Sequence, residues 1–104
     1  MNFSYPAKKF TLAQSLLMLP HPHGETESLI KAFRECSLGL ETLSDSDLDD
    51  LSRVWVLQLT DLMNTARTGS NAINADVLTL DQRYQVSKLI SQINNWLLAR
   101  QRSA

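Results

Sequence analysis

The chain is predicted to be all-α: a small four-helix, bundle-like domain with a long antiparallel hairpin of its third and fourth helices. Only three glycines and three prolines punctuate its 104 residues, so the segments between breakers are long. Within them the apolar residues recur three and four apart instead of alternating, which is the helical period. Two segments also open on Thr-x-x-Gln, the pattern of a reciprocal capping box.

The first helix is expected to start after Thr11, with Gln14 as its capping partner. Leu12, Leu16 and Leu19 would share its core face, widened by Ala13 and Leu17, before Pro20 and Pro22 stop it. That leaves residues 1–10 as an N-terminal segment expected to be flexible. The second helix is placed from Glu25 to about Leu38. Gly24 or Thr26 would open it, Gly39 would serve as its C′ residue, and Leu29, Phe33, Cys36 and Leu40 would line its core face beside Ile30.

The polar break from Glu41 to Asp47 leads into the third helix, capped by Ser44 with Asp47 or by Ser46 with Asp49. Its stripe reads Leu48, Leu51, Trp55, Leu59, Leu62 and Ala66, flanked by Val56 and Met63, and it runs to about Arg67. Residues 68–78 carry no clear helical pattern, and Gly69 is expected to terminate the third helix there. Asp76–Leu80 is the strongest competitor for a short extended piece. The fourth helix opens at Thr79 with Gln82. Val86, Leu89, Ile90, Ile93, Trp96 and Leu97 give it the cleanest amphipathic pattern in the chain, ending near Gln101. The third and fourth helices are expected to be the longest, and no sheet is expected.

Composition bounds the function. A single domain over residues 1–104 is expected, able to bury roughly two thirds of its unfolded surface. A net charge of −1 does not suit a nucleic-acid binder that works by neutralising phosphates. The lone Cys36 excludes an internal disulfide and fits a cytoplasmic protein. The run FTLAQSLLML after Lys8-Lys9 is too short to span a membrane. It is interrupted by Gln14 and Ser15 and followed by PHPHGE, so it reads as part of the domain and not as a signal peptide.

Residues able to do chemistry concentrate at His21-Pro22-His23-Gly24-Glu25. The two imidazoles, held apart by proline, could share a metal ion with Glu25 supplying an oxygen, and Glu27, Glu41 or an Asp of 45–50 completing the set. The simpler reading is a rigid corner between two helices. Cys36 falls on the apolar face of its helix, which suits a core residue better than a nucleophile. Asp45-Ser46-Asp47-Leu48-Asp49-Asp50 opens like a calcium loop. Asp50 stands where the turn glycine belongs and Val56 where the bidentate Glu belongs, so the run reads as acids at a helix start. Lys8, Lys9, Arg100 and Arg102 would make a nucleic-acid surface only if they gathered on one face.

What remains is excess apolar surface. Val54 and Leu57 fall opposite the core stripe of the third helix, near Asp61, while Tyr84 and Leu98 lie off the stripe of the fourth. The expected function is therefore binding of another protein, as an adaptor, inhibitor, immunity-type partner or subunit, without a cofactor or catalysis. A symmetric dimer covering Val54 and Leu57 is one expected form of it. A metal-binding protein or enzyme using His21, His23 and Glu25 is the alternative, and a nucleic-acid module the second.

Overall fold

The structure, a computed structural model, describes residues 3–18, 25–68, 72–73 and 77–103. It is the expected small all-α domain with four helices, α1 Ser4–Leu17, α2 Glu25–Glu41, α3 Asp50–Ala66 and α4 Leu80–Ser103. At 24 residues α4 is the longest, but α2 matches α3 at 17. The third and fourth helices therefore do not stand apart as the longest pair.

The N-terminal end is the largest departure from expectation. α1 begins at Ser4, so Ser4–Phe10 is helical and not a flexible arm. Pro6 does not prevent this, because it sits in the first turn, where backbone N–H groups have no intrahelical partner to lose. Pro6, Ala7, Phe10 and Ala13 are buried, whereas Leu12, assigned to the core from sequence, is 41% exposed. The capping pair expected at Thr11 and Gln14 lies in mid-helix and bonds to α4 instead. Thr11 Oγ1 donates to Asn94 Oδ1 (3.2 Å), and Asn94 Nδ2 donates to Gln14 Oε1 (2.7 Å). Gln14 Nε2 completes the chain by donating to Ser91 Oγ (3.2 Å). At the other end Gln101 Nε2 donates to Ser4 Oγ (3.1 Å), so α1 runs antiparallel to α4. Asn94 is buried, and this network satisfies it; a buried amide without partners would destabilise the domain.

α2 packs against the other flank of α1. Leu29, Phe33 and Cys36 are buried as expected, while Ile30 and Leu40 are half-buried against the core. Gly39 is not a C′ residue. It lies inside the helix, where an added Cβ would fall 3.2 Å from Lys9 Cβ and 3.3 Å from the Phe10 ring. Glycine is needed there for the close approach of two helices, not for turn geometry. Lys9 Nζ and Glu35 Oε2 form an ion pair at 3.1 Å along the same seam.

Between α2 and α3 a single 3-10 turn, Asp45–Asp47, follows Ser44, whose backbone N–H donates to Asp47 Oδ2 (2.8 Å). α3 is capped by Asp49 with Ser52, not by Ser46 with Asp49. It ends at Ala66, and Arg67 is extended. One sheet element was not expected: Arg67–Thr68 (β1) pairs antiparallel with Ala72–Ile73 (β2), Arg67 opposite Ile73. Gly69 and Asp76 lie outside the described residues. The strand-like reading of Asp76–Leu80 fails where it can be checked, since Val77 is in a 3-10 turn and Leu80 opens α4. The Thr79–Gln82 capping box is present in both directions, with Thr79 N–H to Gln82 Oε1 at 2.9 Å and Gln82 N–H to Thr79 Oγ1 at 3.1 Å.

Candidate interaction face

The orientation of α3 is set at its first turn. Asp49 accepts the Ser52 backbone N–H (2.8 Å) and hydroxyl (2.7 Å) on Oδ1. Its other oxygen accepts from the Trp96 indole N–H (3.0 Å) and from Arg100 (3.2 Å) on α4. These donors, the Ser52 backbone N–H first, hold the Asp49 carboxyl well below the usual carboxylate range. The Arg100 guanidinium lies over the Trp96 ring at 5.0 Å, and Phe3 meets the same ring edge-on at 5.8 Å. The start of α3 is thus tied to the end of α4, and the two helices run antiparallel. Trp96, placed by sequence on the apolar stripe of the fourth helix, is a half-buried latch.

The buried face of α3 is Ser52, Leu59, Leu62, Met63 and Ala66. It is turned from the sequence-assigned stripe, and Leu51, placed there, is 58% exposed. Ser52 can occupy the core because its hydroxyl is bonded to Asp49. On the opposite side, Asp50, Val54, Leu57 and Asp61 follow one another at intervals of four, three and four residues, and so form one stripe. Val54 and Leu57 are 47% and 60% exposed. Beside the stripe, α3 and α4 leave an open groove of about 480 Å³ lined by Trp55, Gln58, Asp61 and Leu62 from α3 and by Gln85, Lys88, Leu89 and Gln92 from α4.

The other candidate contact residues, Tyr84 and Leu98, lie on α4. Tyr84, Ser91 and Leu98 recur every seven residues on one flank of α4, and Ser91 bonds to α1. Tyr84 is exposed on α4, and Leu98 is half-buried against the core. Leu51, on the flank of α3 toward the groove, was missed. Centring the helical period on Leu59, Met63 and Ala66, instead of on Leu48, would have found it.

His21 and His23 lie outside the described residues, as does the side chain of Glu25, which opens α2. Among the described residues, no three His, Cys, Asp or Glu side chains converge to hold a metal ion. The acidic run acts as two caps, with Asp47 turned to Ser44 and Asp49 to Ser52. Arg53 Nε donates to Asp45 Oδ1 (3.0 Å) and so ties the 3-10 turn to α3. Of the basic residues, Lys9 is paired with Glu35 and Arg100 with Asp49. Lys8 is exposed, and the side chain of Arg102 is outside the described residues. Cys36 is fully buried; burial, with the Glu35 charge adding to it, pushes its thiol well above the usual range. No described helix is long and apolar enough to cross a membrane. No family model, curated protein or solved structure matches the chain.

Proposed function

We propose that the protein acts by binding another protein through the outer face of α3. The reading rests on one observation: Val54 and Leu57 stay open to solvent on a helix whose other side already packs into the core. Contiguous exposed apolar side chains rimmed by polar residues mark contact surfaces. The groove beside the stripe supports the reading, because it brings Trp55 and Leu62 within reach of anything seated on α3. Tryptophan, which Trp55 supplies here, is enriched among the few residues that carry most of the energy of protein contacts.

The test is paired affinity capture from the source cell. Wild type, a Val54→Glu/Leu57→Glu variant and a Leu38→Glu variant on the exposed side of α2 serve as baits, each first shown to be folded by circular dichroism. The expected result is a stoichiometric partner held by wild type and by Leu38→Glu and lost with the α3 variant. Equal recovery with all three baits would remove α3 as the contact surface.

A further inference from the structure

We infer that the α3 stripe is shaped for a cationic amphipathic helix of a different protein and against a second copy of this chain. The inference rests on the protein-binding reading above and adds the chemistry of the partner.

The apolar pair Val54 and Leu57 is flanked four residues out on each side by an acid, Asp50 before it and Asp61 after it. The side chain of Asp50 is fully exposed, with Arg53 at 3.5 Å, and Asp61 is exposed. Arg53 is itself shared with Asp45, so the start of the stripe stays net acidic. The facing cation at the other end, Lys88, lies on α4 along the groove and not on the stripe.

This symmetry decides against self-pairing. In an antiparallel pairing that seats Val54 on Leu57 of a copy, Asp50 comes over Asp61 of that copy at both ends. In a parallel pairing each acid meets its own counterpart. Either two-fold arrangement stacks carboxylate on carboxylate, and like charges brought together at an interface exclude that partner. The complementary surface carries two apolar residues three apart, with Lys or Arg four residues outside each. On a helix the two cations would stand roughly 16 Å apart, at 1.5 Å per residue, which matches the span from Asp50 to Asp61.

The chain can itself supply the probe. An Asp50→Lys/Asp61→Lys variant presents the inferred partner pattern on a helix of known orientation. Wild type and variant alone should each remain monomeric by light scattering at a few hundred micromolar. Mixed, they should associate at least ten-fold more tightly than either does with itself. Saturable amide shifts should centre on Val54 and Leu57, weaken as salt is raised, and vanish with Leu57→Glu in either component. If the double variant does not fold, Asp61→Lys alone serves, because a single exchange places lysine over Asp50 of the copy and should convert the monomer into a dimer. Dimerisation of wild type would overturn the inference, as would a mixture no tighter than its components. Equal association in every pairing, with shifts at Val54 and Leu57, would remove the charge rule and leave the docking face standing. An absence of shifts in the mixture would remove the inference, while the paired capture decides the docking face separately.

Discussion

Replacing Gly39 by alanine separates two roles for this glycine and tests how closely α1 and α2 approach. In an unobstructed helix the change stabilises by about 0.8–1.0 kcal/mol, because alanine loses less backbone freedom on folding. Here the new methyl would stand 3.2 Å from Lys9 Cβ and 3.3 Å from two atoms of the Phe10 ring. Neither neighbour yields easily: Phe10 is fully buried, and the Lys9 stem is short of its flexible end, with its ammonium held by Glu35. Overpacking of this kind costs about 1–3 kcal/mol. The balance is a net loss of about 1 kcal/mol, or a fall of about 4–8 °C in Tm for a domain near this size. Urea unfolding of Gly39→Ala, Phe10→Leu and the double variant measures it. The Gly39→Ala loss should shrink or reverse once Phe10→Leu has made room. A variant stabilised by about 1 kcal/mol would refute the close approach. A loss unchanged by Phe10→Leu would return Gly39 to the role of a helix terminator.

Three further outcomes follow from the same packing. Cys36 should react with a thiol reagent only as fast as the domain opens, and labelling without denaturant at the rate of a free thiol would show that the α2 face is misassigned. Asp49→Asn should lose up to about 1 kcal/mol at neutral pH, because asparagine still caps α3 but gives up the negative charge at the helix N-terminus and beside Arg100. Because the folded Asp49 carboxyl titrates below its unfolded value of about 3.9, its contribution is present above that pH and lost as pH falls through the folded value. The stability gap between wild type and Asp49→Asn should therefore be constant at neutral pH and close only in acid, and a gap that closes near pH 6 would contradict the assignment. Lys9→Ala or Glu35→Ala alone should cost about 1–3 kcal/mol, because each leaves a charge in a seam where both side chains are mostly buried. Lys9→Met with Glu35→Leu should come within about 1 kcal/mol of wild type, as measured by denaturant unfolding.

The fold class was legible because few breakers and helical spacing leave no other architecture. The cap of α4 was legible to the atom, since Thr79 and Gln82 each bond to the other's backbone three residues away. The same pattern at Thr11 and Gln14 misled, because both side chains find Asn94 and Ser91 some eighty residues away. Local reading has no access to such partners. Starting the first helix after Thr11 left residues 1–10 as a loose arm, yet proline in a first turn and two lysines beside a buried Ala7–Phe10 face are compatible with a helix. On α3, Val54 and Leu57 were found because they lie opposite any reasonable choice of core stripe. The exposure of Leu51 was not legible, because it depends on a rotation set by Asp49, Trp96 and Arg100, a contact between helix ends that spacing does not encode. Tyr84 and Leu98 both lie off the stripe of α4, yet one is exposed and the other half-buried, because which flank of α4 meets which helix is a matter of tertiary packing.

Photo-crosslinking inside the source cell tests the role of α3 most directly. A photoreactive phenylalanine analogue replaces Val54 or Leu57 on the outer stripe, and Leu38 on α2 as the control. Crosslinking at Val54 and Leu57 should give one discrete adduct with a different protein, of a mass unlike twice that of this chain, and none from Leu38. No adduct from either α3 position, or the same adducts from all three, would contradict a binding face on α3.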